Sequence, residues 1–152
     1  MSKAHTLYQV IRQVRSCFNQ LKVLGDELHQ DLGITASMRV IMESLADDGE
    51  QTVPQIARAK GVSREHIQVN VDELLSSTLI TLRDNPAHRR SPFVALTKKG
   101  HAAFKEMRGR ETKVLELLAH ELGSEPLEKT AETLAQLRDS LVKMQVKGGR
   151  HG

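Results

Sequence analysis

Arg89 and Arg90 stand side by side after His88, just beyond an Asp84-Asn85-Pro86-Ala87 turn signal. Upstream, Ser63, Arg64, His66, Gln68, Val69 and Asn70 share one amphipathic stretch. Together these side chains offer the chemistry needed to hold a patterned polyanion. An arginine grips phosphate or enters a narrow groove, so at least one of Arg89 and Arg90 is expected on nucleic acid. Gln68 and Asn70 carry donor and acceptor side by side, which suits base edges, and Arg64 can reach a base or a phosphate. Val69 can meet a thymine methyl, and Ser63 can cap a helix while offering its hydroxyl to phosphate. Arg83, Lys98 and Lys99 are secondary candidates for backbone contact. Residues 51–100 hold eight Lys or Arg against four Asp or Glu, a net of +4 beside +3 for the whole chain. Positive charge is therefore concentrated where these residues lie.

Other chemistries find little support in the sequence. No nucleophile, base and acid assemble into a catalytic set, and Ser63 with His66 is explained by a cap and a helix surface. The seven histidines form no His-Glu-x-x-His motif, no glycine loop is built to cradle phosphate, and neither a metal nor a cofactor is expected. Cys17 is the single cysteine, so an internal disulfide is impossible. Its expected role is that of a partly buried small residue, with reversible oxidation as the alternative. The chain shows neither a secretory apolar core nor a long uninterrupted apolar segment, which leads to the expectation of a cytoplasmic protein with no membrane partner.

These residues need a scaffold, and apolar periodicity supplies one. Leu7, Ile11, Val14, Phe18, Leu21, Leu28 and Leu32 recur at steps of three and four, with Gly25 filling the place between Leu21 and Leu28, predicting a helix over about 5–31 with Gly33 ending it. Thr35 caps a second helix over 36–46. Thr52-Val53-Pro54-Gln55 predicts a capped start for a third, closed by Lys60-Gly61. Ser63 caps a fourth that runs to about Ser76, with Ile67, Val71, Leu74 and Leu75 inward. A short helix, a glycine turn and a second amphipathic helix make a helix-turn-helix pattern. Residues 79–83 and 92–96 then read as two strands of a basic hairpin. Thr97 caps a helix reaching about Leu122, which Gly109 is expected to bend. Ser124 and Pro126 open a last one, carrying Leu127, Leu134, Leu141 and Met144.

The ordered set Thr52–Ala57, Gly61-Val62-Ser63, Val71-Asp72-Glu73-Leu74, Leu79-Ile80, Asp84–Arg90 and Leu96–Gly100 resembles the MarR (multiple antibiotic resistance regulator) family of bacterial transcription factors. With the flanking helices, the resemblance covers about residues 5–146. It implies a mainly α fold with a small antiparallel β-wing: a winged helix-turn-helix over 35–100, dimerisation helices over 1–34 and 101–147, and a flexible tail over 148–152. It also implies a homodimer on palindromic double-stranded DNA, repressing nearby genes. A small amphipathic effector is expected in a cleft, for which Leu21, Leu24, Met38 and Met42 are candidates. The chain departs from the family pattern in three places. His88 stands where an acidic residue commonly precedes the wing arginines, Thr78 where glycine is common, and Val69 where a basic or polar residue is frequent. The expected function is sequence-specific DNA binding and transcription regulation rather than catalysis. The alternatives are a redox-responsive regulator using Cys17 and a protein-interaction module that keeps the fold without binding DNA.

Overall fold

Side-chain caps decide where most of the helices begin. In the computed structural model, which describes residues 1–148, Ser2 caps α1 (Lys3–Leu28) and Thr35 caps α2 (Ala36–Asp48) by accepting from Met38 N–H. Thr52 and Gln55 close a reciprocal capping box at the start of α3 (Val53–Lys60): Gln55 N–H donates to Thr52 Oγ1 at 3.3 Å, and Thr52 N–H donates to Gln55 Oε1 at 2.9 Å. Ser63 caps α4 (Arg64–Ser76), and Thr97 Oγ1 accepts from Gly100 N–H at the start of α5 (Lys98–Glu121). A last helix, α6, spans Ser124–Gly148. Each such cap satisfies a donor that the helix cannot pair internally and contributes about 1 kcal/mol.

The chain divides into two compact units, Met1–Arg110 and Glu111–Gly152. The first holds the core. Met38, Ile41, Met42 and Leu45 of α2 meet Ile56 of α3, Ile67, Val71 and Leu74 of α4, and Met107 of α5. Full burial of such side chains stabilises the fold by about 1.5–3 kcal/mol each. Over this core lies an antiparallel sheet of three strands, β1 (Gln51–Thr52), β2 (Ile80–Arg83) and β3 (Phe93–Leu96), in the order β1-β3-β2. Ile80 faces Leu96 and Arg83 faces Phe93 in one ladder, while Thr52 faces Phe93 in the other.

Several details differ from the sequence expectations. The hairpin has gained a third strand, β1, whose two residues lead straight into the α3 cap. The first helix stops at Leu28, and a single 3-10 turn, Gln30–Leu32, follows before left-handed Gly33. Gly109 does not interrupt α5, which stays α-helical throughout. Of the expected tail, Gly148 closes α6 and 149–152 lie outside the described residues.

Two backbone features fix the wing to the core. Gly100, buried in the first turn of α5, sits so close to Leu79 that an added Cβ would overlap the Leu79 carbonyl oxygen. Just before Leu79, Thr78 is the one non-glycine residue with positive φ among those described, at 58°. Its carbonyl accepts from Thr97 Oγ1 at 2.7 Å, and Lys99 Nζ donates to the Ser77 carbonyl at 3.0 Å. Farther along α5, Arg110 holds the segment after α1. Its guanidinium pairs with both Asp31 oxygens at 2.6 and 2.8 Å, with Glu106 Oε1 at 2.8 Å, and with the Leu28 carbonyl at 2.9 Å. Arg110's two hydrogen bonds hold the Asp31 carboxyl below its ordinary value, and the same carboxylates raise the arginine.

Much apolar surface stays uncovered. α1 buries none of its residues, and Leu7, Val14, Phe18 and Leu21 are all more than 40% exposed. In the second unit Leu117, Leu122, Leu141 and Met144 are likewise open. A helix with an apolar stripe ordinarily buries it, so these faces are of the kind that an assembly covers.

Candidate nucleic-acid interface

The angle between α3 and α4 is set by one left-handed residue. Gly61 has φ 66°, a conformation that costs a side chain with Cβ about 1–2 kcal/mol. The turn closes with Val62 N–H donating to the Ala57 carbonyl at 3.1 Å, and Ser63 then restarts the helix by accepting from His66 N–H at 3.1 Å. Ile67, Val71 and Leu74 anchor one side of α4 in the core. The opposite side presents Arg64, Glu65, His66, Gln68 and Val69, all exposed. Gln68 Nε2 donates to Asp72 Oδ1 at 2.8 Å along this face.

Asn70 does not belong to that face. It is 7% exposed, and its Nδ2 donates to the His66 carbonyl at 2.9 Å. Its amide is committed to its own helix, which corrects its expected place among exposed base-reading residues. Ser63 serves as the expected cap.

The wing tip is built with the same economy. Asn85, 7% exposed, donates from Nδ2 to the Ser91 carbonyl at 2.9 Å. Within that bridge His88 N–H donates to the Asn85 carbonyl, and Ser91 N–H to the His88 carbonyl. Two successive turns therefore fold the tip on itself and leave His88, Arg89 and Arg90 exposed. At the base of the wing, Arg83 lies 3.6 Å from Glu50.

Between α3 and α4 on one side and the wing on the other runs a groove of about 1230 Å³. Arg58 and Arg64 line one wall and Arg89 and Arg90 the other; Gln68 and Glu65 also face it. The four guanidinium groups outnumber the single carboxylate, so the groove carries the field an anionic backbone needs. Arg58 and Asn85 were not singled out as site residues from the sequence. Arg58 falls on the polar side of the short α3, opposite Ile56 and Ala57, and that placement was its only signal.

The remaining expected residues scatter. Lys98 is exposed, whereas Lys99 is engaged with the end of α4 at Ser77 and Thr78. Met38 and Met42 are core side chains at 2% and 0% exposure, while Leu21 is open on α1 and Leu24 half-buried. Of the four cleft candidates, the interhelical core includes both methionines and neither leucine. Cys17 is exposed, not partly buried as expected, in a stretch of α1 that is exposed on every face within the single chain. Among the described residues, no three His, Cys, Asp or Glu side chains gather where they could hold a metal, and no helix is long and apolar enough to cross a membrane.

Two helices joined by a left-handed turn, followed by a sheet-based wing, define a winged helix-turn-helix protein. A solved MarR family transcription regulator is similar over 93% of this chain and 94% of its own, at 25% identity and TM-score 0.83. MarR of Staphylococcus aureus, solved with salicylate and kanamycin, shares the fold at 16% identity and TM-score 0.83, covering 91% and 94%. A mutant MarR from E. coli complexed with operator DNA shares it at 17% identity and TM-score 0.78, covering 90% and 99%. The chain has the winged helix-turn-helix fold of the MarR family transcription regulators. No protein-family model matches it. Uncharacterized proteins of Mycobacterium tuberculosis and Mycobacterium bovis are 34% identical over 94 residues, a span of 62% of this chain and 66% of theirs.

Proposed function

We propose that this protein acts as a homodimer that binds palindromic double-stranded DNA and represses transcription in the bacterial cytoplasm. The groove carries this reading: arginines on both walls flank an exposed helix face that offers Gln68 and Val69. In this arrangement α4 enters a major groove, and Arg89 or Arg90 reaches the flanking minor groove. Arg58, Arg64 and Ser63 hold the intervening phosphates, with His66 and Lys98 at the margin. The operator complex of the E. coli relative supports DNA as the ligand.

The open apolar faces of 1–34 and 101–147 support their assignment as dimerisation helices, with 35–100 as the DNA-binding region. A two-fold dimer matches a palindrome because it repeats the same reading head on each half-site. The salicylate complex of the S. aureus relative supports a small amphipathic effector. Such a ligand acts by binding one spacing of the two reading heads more tightly than another.

Selection from a randomised duplex pool tests the reading. A two-fold-symmetric sequence is expected; folded dimer that enriches nothing would refute it. Redox control through Cys17, which is exposed on α1 within one chain, is the alternative reading. It predicts an oxidant-induced loss of DNA binding that Cys17→Ser abolishes.

A further inference from the structure

Gln68 is the exposed amide on the outer face of α4, and its nitrogen already has a partner. Its Nε2 lies 2.8 Å from Asp72 Oδ1, one helical turn farther along the same face. The direction of that bond is fixed by chemistry. An ionised carboxylate only accepts, so only the amide nitrogen of Gln68 can face it. Asp72 is itself exposed, and among the described residues Gln68 is the donor that holds its side chain. It sits at the solvent edge of the helix and contributes nothing to the buried side formed by Ile67, Val71 and Leu74.

We propose that Asp72 is a positioning residue that locks the Gln68 amide in the orientation that reads adenine and rejects guanine. The inference rests on the DNA-binding reading above. With one N–H committed to Asp72, Gln68 retains its Oε1 acceptor and one N–H donor. Adenine presents the complement in the major groove, an N6 donor beside the N7 acceptor. Guanine presents two acceptors, O6 and N7, and places O6 against Oε1. An unbraced glutamine can swing to bring its nitrogen toward either purine. A braced one cannot do so without breaking a charge-assisted hydrogen bond. The carboxylate has a second, separable effect: it repels phosphate and weakens binding to every duplex alike. Asp72 therefore exchanges general affinity for discrimination at one base pair in each half-site.

The test uses the full-length protein and its selected operator. Wild type, Gln68→Ala, Asp72→Asn and Asp72→Glu are each titrated against that operator and against duplexes with A·T replaced by G·C at single half-site positions. Wild type is expected to prefer adenine about tenfold at one position, as one bidentate amide pair allows. Asp72→Asn is expected to shrink this to about twofold while raising affinity for unrelated duplexes, because the neutral amide no longer forces the Gln68 nitrogen inward. Asp72→Glu, which keeps the carboxylate, should retain the preference, and Gln68→Ala should lose it at that same position. A purely electrostatic or structural Asp72 would move all affinities together. Unchanged discrimination in Asp72→Asn, with an operator recovered, overturns this inference alone. Thermal melts of each variant confirm that the compared proteins are folded. Failure of folded wild type to select any operator overturns the DNA-binding reading and this inference with it.

Discussion

Replacing Gly100 by alanine sets two physical effects of opposite sign against each other. Gly100 lies inside α5, where alanine is preferred over glycine by about 1 kcal/mol on helix propensity alone. The added Cβ would, however, overlap the Leu79 carbonyl oxygen and lie 3.0 Å from its carbon and 3.1 Å from Leu96 Cδ2. None of these neighbours yields easily. The Leu79 carbonyl accepts from Thr97 N–H and the Leu79 N–H donates to the Leu74 carbonyl, while Leu79 and Leu96 are both buried. Relief requires α5 and the start of the wing to move apart, which places the cost near the top of the overpacking range, about 3 kcal/mol. The net expectation is a loss of about 2 kcal/mol after the propensity gain is deducted. Urea denaturation followed by far-UV circular dichroism reads this as a lower midpoint at unchanged slope. Equal or greater stability in Gly100→Ala would refute the close-approach reasoning, because propensity would then have won.

Three other substitutions probe separate features. Arg89→Ala with Arg90→Ala should weaken duplex binding and lower the salt slope by about 1 for each phosphate left without its arginine, with the dimer intact by light scattering; an unchanged slope removes both from the interface. Thr78→Gly should stabilise the fold by about 0.5 kcal/mol, because relief of its left-handed backbone slightly exceeds the extra chain entropy of glycine. A lower urea midpoint would show that the Thr78 hydroxyl matters more than its φ. Asp31 titrates below its ordinary 3.8 in the folded protein, so its pairing with Arg110 stabilises above that value and fades as pH falls through the lowered one. Asp31→Asn should accordingly flatten the acid side of the stability profile below about pH 4, and an equally steep limb would remove Asp31 from acid sensitivity.

Local chemistry was legible in the sequence where it acts over a few residues. Thr52 with Gln55, Ser63 and Thr97 all cap the helices their spacing indicates, and Gly61 forms the turn. The core faces of α3 and α4 followed from apolar periodicity. What escaped has other causes. β1 contains only two residues, too few for alternation to show, and exists because β3 offers it a free edge. Asn70 and Gln68 are similar amides two residues apart, but the first turns back to a carbonyl and the second reaches a carboxylate. Arg110 meets Asp31 across 79 residues, a pairing that only the tertiary fold brings together. Met38 and Met42 pack in the core, the ordinary place for apolar residues on the inner face of α2.

The bridge from Asn85 to Ser91 bears on how such a reading head can change over evolutionary time. A loop closed on itself by a buried amide and two inner turns has a set length. One inserted residue between 86 and 90 would pull the amide from its carbonyl and leave a buried donor unmet, so the tip should diversify by substitution while keeping its length. The ordering of this loop is completed during folding, so its arginines arrive already arranged when a duplex approaches. New flanking preferences can then arise by exchanging side chains on a fixed mount, with the register of α4 left undisturbed.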